Sequence, residues 1–158
     1  MSTEIEQLSE SDREILLRAP SLVAISAAIS DDGEVSKQEK AESIKLAHLR
    51  TYTAHPMLQN YYQEVDKVFA KYFEETLAIL PEDWKDKENY IEEKLADLAD
   101  VLPKLNEVYA KNLVISLKSF ARHVFKTNSS FLKYFILPVF MNRIEKKSFK
   151  TGLDDIEL

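Results

Sequence analysis

Residues 56–81 read PMLQNYYQEVDKVFAKYFEETLAILP, and the spacing of their apolar side chains decides the fold. Leu58, Tyr61, Tyr62, Val65, Val68, Phe69, Tyr72, Phe73, Leu77 and Leu80 recur at intervals of three, four and one. A 3.6-residue period turns such positions into one broad stripe, so the segment is an amphipathic helix. Lys67, Lys71, Glu74 and Glu75 fall outside the stripe. Pro56 suits a first helical turn, where its missing N–H is no loss, and Pro81 stops the helix.

The flanking segments carry the same period. Residues 11–18, SDREILLR, predict a short helix, and Pro20 then opens a second one, PSLVAISAAIS. The latter is apolar on nearly every side and rich in small residues, which suits a central, closely packed helix. Gly33 ends it, as glycine commonly does just past a helix C-terminus. Ser36 and Glu39 form an S-x-x-E capping box for the next helix, which runs to about Tyr52 with Ala41, Ile44, His48 and Tyr52 along one side.

Downstream, Ile91, Leu95, Leu98, Ala99 and Leu102 share one face of a helix over about 86–102, and Glu92, Glu93, Asp97 and Asp100 form its solvated face. After Pro103 a helix to about Lys126 buries Leu113, Leu117, Phe120, Ala121 and Val124. A last helix over about 130–146 is apolar all round and is kinked or restarted at Pro138. No strand-like alternation of useful length occurs. The expected fold is all-α, a single compact bundle of about seven helices over residues 1–150 with a flexible acidic tail at 151–158.

Bulk properties exclude several function classes. The 158 residues are 45% hydrophobic, enough for a core of their own, with just 2 Gly and 5 Pro. There is no cysteine, which rules out disulfides, thiolate metal sites and cysteine nucleophiles. The polar start MSTEIEQLSESD has no basic and apolar regions of a secretory signal, and the apolar run 131–141 is interrupted by Lys133 and Pro138 and too short to span a bilayer. A cytoplasmic protein is therefore expected. The net charge of −6 conceals a strong asymmetry: residues 1–109 hold 23 acids and 12 bases, whereas residues 110–150 hold 1 acid and 9 bases.

The segment 30–40, SDDGEVSKQEK, is the candidate binding site. Gly33, Ser36 and Glu39 are accounted for by turn and cap chemistry. Asp31 and Asp32 sit where the helix dipole is negative, which disfavours each carboxylate by roughly 0.3–1 kcal/mol. A hard divalent cation such as Mg²⁺ or Ca²⁺ would reverse that sign, because it takes carboxylate and carbonyl oxygens and a helix C-terminus supplies both. The metal candidates are Asp31, Asp32, Glu34 and Glu39. An EF-hand is excluded: with Gly33 at loop position six, Ala28 occupies position one, where an aspartate is needed.

The stretch LVAISAAISDDGEVSKQEKAESIKLA resembles the TerB-like (tellurite resistance) family, through Ala27, Ala28, Asp32, Gly33, Glu34, Val35, Ser36 and Glu39. The resemblance covers about 30 residues. It implies an all-α fold of roughly seven helices with a weak internal duplication, a cytoplasmic protein without established catalysis, and a link to metal-stress and membrane-associated responses. It also implies that acidic residues near the turn bind a divalent cation. In the second copy Leu113 and Val114 echo Leu22 and Val23, but the turn carries Arg122, His123 and Lys126 in place of acids. Any cation site is therefore confined to the first half.

Other candidates are weaker. Lys111, Lys118, Arg122 and Lys126 form one helical stripe, and Lys146, Lys147 and Lys150 follow. Such a surface suits an acidic partner or an anionic membrane surface, whereas nucleic acid is disfavoured by the acidic pI and the lack of any recognition motif. His48, His55 and His123 show no metal-ligand spacing, and His48 beside Ile44 and Tyr52 is expected to be packed and hydrogen-bonded. No nucleophile with a paired base and no phosphate loop is present. The expected function is a non-enzymatic TerB-like module working through a protein partner, with a divalent cation at 31–39. The alternative is a metal-free helical adaptor that binds through 111–150.

Overall fold

The computed structural model describes residues 3–32 and 34–124. They form six α-helices: α1 (Thr3–Glu6), α2 (Glu10–Asp32), α3 (Lys37–Thr53), α4 (Pro56–Ile79), α5 (Trp84–Val101) and α6 (Glu107–Val124). A 3₁₀ turn, Leu102–Lys104, joins the last two and absorbs Pro103. The all-α expectation holds for these residues, which contain no strand. The helix expected over 130–146, Pro138, Lys126 and the 151–158 tail lie outside the described residues.

Side-chain caps open five of these helices. Ser9 Oγ accepts from Asp12 N–H at 3.1 Å, His55 Nδ1 from Met57 N–H at 3.1 Å, Asp83 Oδ2 from Lys85 N–H at 3.1 Å, and Asn106 Oδ1 from Val108 N–H at 3.0 Å. At α3 the expected capping box is complete: Glu39 N–H donates to Ser36 Oγ at 3.0 Å, and Ser36 N–H donates to Glu39 Oε1 at 2.8 Å. Each cap satisfies donors that a helix leaves unpaired at its start.

The sequence predicts two helices across Pro20, but α2 is one helix of 23 residues with the proline inside it. A proline in a helix interior lacks the N–H that would bond the carbonyl four residues earlier, which here is Leu16. The Tyr61 hydroxyl, from the middle of α4, donates to that carbonyl at 2.6 Å. Both residues are fully buried. The helix therefore continues because a neighbouring helix fills the gap in its ladder. The small-residue segment after Pro20 behaves as expected: every residue from Ser21 to Ile29 is buried.

α2 runs through the centre, with α4, α6 and α5 packed on it and α3 laid across α4 and the edge of α6. The α4 stripe faces inward as predicted, and Phe69 lies between Phe73 and Phe120 at ring distances of 5.8 and 5.9 Å. α3 leaves most of the side named above for it in solvent. Its buried residues are Ser43, Leu46 and Ala47, while Ala41, His48 and Tyr52 are exposed. Ser43 can turn inward because its hydroxyl donates to Glu39 O at 2.8 Å, so the helix buries a small polar residue without leaving it unpaired. α5 buries Ile91, Leu95, Leu98 and Ala99 on the predicted face, yet α4 and α5 barely touch each other.

Candidate functional site

α4 and α5 both pack on α2 but share few contacts with each other, and a cleft of about 540 Å³ opens between them. Glu14, Ile15, Arg18 and Leu22 of α2 line it, with Glu75, Thr76, Ala78 and Ile79 of α4 and Tyr90, Lys94 and Asp97 of α5. Its volume lies in the range of about 300–1,000 Å³ usual for ligand sites, and apolar walls with a few convergent charges are the usual composition. Ile79 is 63% exposed, a large apolar side chain that the described residues leave uncovered.

Arg18 is the centre of the polar part. Its Nε donates to Glu14 Oε2 at 3.1 Å, its Nη2 donates to Glu75 Oε1 at 2.7 Å, and its guanidinium lies 3.9 Å from the centre of the Tyr72 ring. Partial burial lowers its pKa, but the bonds and charges of Glu75 and Glu14 outweigh that and hold it above the ordinary arginine value. Tyr72 is pushed up by its own desolvation, then by Glu14. Lys94 and Asp97 approach no closer than 4.0 Å, and Lys94 lies 5.5 Å from the Tyr90 ring. The sequence reading leaves Glu75 outside the stripe and Asp97 on a solvated face. In the fold both are half-buried and both line the cleft.

The acidic turn is only partly visible. Asp31 and Asp32 are the last two residues of α2, but their side chains and Gly33 lie outside the described residues. Glu34 is exposed, and Glu39 has one oxygen engaged by Ser36 N–H. Among the described residues no three acidic or histidine side chains come together as a metal site.

The basic stripe is less free than its sequence suggests. Lys111 pairs with Glu107 at 3.1 Å, and Lys118 and Arg122 are half-buried. The histidines serve local structure. His48, expected to be packed, is exposed and makes a hydrogen bond with Asp66 Oδ2 at 3.0 Å, because α3 turns the neighbouring Leu46 and Ala47 inward instead. His55 caps α4, and His123 borders a small recess with Glu42, Lys45, Leu46 and Leu49.

A second cluster was invisible in sequence. Arg50 Nη1 donates to Ser116 Oγ at 2.8 Å, Ser116 O at 3.2 Å and Tyr62 Oη at 3.4 Å, and Nη2 donates to Ser119 Oγ at 3.2 Å. Tyr62 and Ser116 share a hydroxyl–hydroxyl bond of 2.6 Å. Burial raises the Tyr62 pKa, and the Arg50 charge and the bonds from Ser116 and Arg50 offset this only in part. A serine bonded to a neutral phenol has no base to activate it, so the cluster joins α3, α4 and α6 rather than forming a nucleophile. Compared with family models, curated proteins and solved structures, the chain matches none.

Proposed function

We propose that the protein is a non-enzymatic, TerB-like helical module of the tellurite and metal-stress type, which acts by binding a protein partner in the α4–α5 cleft. The observation that carries this reading is the cleft: apolar walls, a fixed Arg18–Glu14–Glu75 cluster and an uncovered Ile79. The sequence resemblance supports the non-catalytic class and the cytoplasmic setting, and supplies the seventh helix and the weak duplication as parts of the same reading. No helix among the described residues is long and apolar enough to cross a membrane.

A divalent cation at the 31–39 turn belongs to this reading as a modulator, with Asp31, Asp32 and Glu34 as ligands beside Glu39. Millimolar Mg²⁺ or Ca²⁺ should raise the melting temperature and shift amides near residues 31–39. Unchanged spectra would remove the cation from the proposal.

The cleft is tested by partner capture from a cell lysate. Ile79→Asp places a charge on an exposed side chain and should abolish capture without altering the melting curve. If Ile79→Asp captures the same partner as the parent chain, the cleft is not the contact surface. Loss of capture on charge reversal at Lys118 and Arg122 instead would favour the 111–150 adaptor.

A further inference from the structure

The charges around the cleft narrow the chemistry of what binds there, given the reading of the cleft as a protein-contact surface. Three carboxylates, Glu14, Glu75 and Asp97, face two cations, Arg18 and Lys94. Arg18 is held by two of the acids and stacked on Tyr72, so it is part of the wall and poorly placed to swing toward a ligand. Lys94 and Asp97 are a loose pair at 4.0 Å. Among the described residues the lining therefore carries one surplus negative charge beside Ile15, Leu22, Ala78, Ile79 and Tyr90. Lining residues extend from Glu14 to Leu22 on α2 and from Tyr90 to Asp97 on α5. At 1.5 Å per residue these runs are about 10–12 Å long, the length of two helical turns.

We propose that the cleft receives two turns of an amphipathic helix from a partner protein, which presents apolar side chains at i, i+3 or i+4, and i+7 with a lysine or arginine beside them. Helix-in-groove recognition uses that anchor spacing. The apolar anchors cover Ile15, Ile79 and Tyr90. The basic side chain neutralises the surplus acid next to Glu75 and Asp97, where an acidic one would face three carboxylates and find Arg18 already bonded. Complementary charge selects the partner, and the apolar contacts hold it.

The probes are two 16-residue alanine-based helical peptides with leucines at i, i+3, i+4 and i+7 and either a lysine or a glutamate adjoining them. Calorimetry and amide shifts on the full chain report binding. The lysine peptide should bind about tenfold more tightly than the glutamate peptide, a preference Glu75→Lys should level or invert. Ile79→Asp, or the uncharged Ile79→Asn should that variant misfold, removes an apolar contact and should weaken both peptides, the glutamate peptide more. A glutamate peptide that binds equally or better overturns the charge assignment. Lysine-peptide binding that ignores Ile79→Asp overturns the site. Amide shifts in the cleft with octylammonium but neither peptide would make it a small-molecule site and overturn the helical partner. Capture of a lysate partner that Ile79→Asp abolishes, with no peptide binding, would sink this inference and leave the protein-contact reading standing. Capture that ignores Ile79→Asp would sink that reading itself.

Discussion

Arg18 and Arg50 are the same side chain, each close to a tyrosine ring, but they occupy two kinds of seam. Arg50 gives all four of its hydrogen bonds to neutral oxygens, two of them on Ser116, inside the closed joint of α3, α4 and α6. Arg18 bonds two half-exposed carboxylates on the wall of an open cleft. Neutral hydroxyls and a backbone carbonyl compensate desolvation by hydrogen bonding and leave nothing for a ligand. Carboxylates at a solvent-facing edge add little to stability and leave a field that a ligand can sense. One arginine is a structural tie; the other lines the cleft that we propose as the recognition surface.

The largest expected effect breaks the tie. Arg50→Met retains an unbranched side chain but leaves the buried Tyr62 and Ser116 without their charged donor. It should cost about 2–4 kcal/mol, read as a lowered urea midpoint. If Arg18→Met costs as much, the two seams are not different in kind.

Next is the repair of the α2 ladder. Tyr61→Phe removes the hydroxyl donor at the Leu16 carbonyl and should cost about 1–3 kcal/mol. The link to Pro20 makes a sharper demand. In a Pro20→Ala background the backbone N–H returns, so the same substitution should cost less than about 1 kcal/mol. An unchanged cost would mean that Tyr61 contributes through packing and not by completing the helix.

The two buried phenols also set an alkaline limit. Burial raises Tyr61 well above the ordinary tyrosine value, with Tyr62 and Tyr109 adding to it, and raises Tyr62 less strongly. A pKa raised by folding contributes stability in full below the unfolded value of about 10, and that stability is lost as pH climbs through the folded values. Urea midpoints taken from pH 9 to pH 11.5 should fall, and Tyr61→Phe should flatten the decline. A decline of equal steepness in that variant would place the sensitivity elsewhere.

These contrasts show what a linear sequence carries. The α4 stripe, the α5 face and the Ser36–Glu39 box were legible because each is local and periodic, within one or two turns of its partners. Glu14 and Arg18 are four apart and could be paired on sight, but Glu75 lies 57 residues away, and no local rule ties it to them. Arg50 and Ser116 are 66 apart. Pro20 read as a helix start because the usual rule assigns the missing N–H to a terminus. The rule failed where a tyrosine 45 residues away from the orphaned carbonyl supplied the donor. The cleft had no signature of its own, since it lies between two helices, α4 and α5, that share few contacts.

The smallest expected effect is therefore the most informative about function. Arg18→Met and Glu75→Gln should each lower stability by no more than about 1 kcal/mol, because the pair is partly exposed and solvent screens it. Their consequence for binding should differ in sign. Arg18→Met leaves Glu14 and Glu75 uncompensated and makes the cleft more acidic, which should tighten a lysine-bearing helical peptide. Glu75→Gln removes one surplus charge and should loosen it. Raising salt from 50 to 500 mM should shrink both changes, because contacts at the open edge are screened. If the two substitutions shift affinity in the same direction, the cleft reads shape alone, and Arg18 then resembles Arg50 more than its carboxylate neighbours suggest.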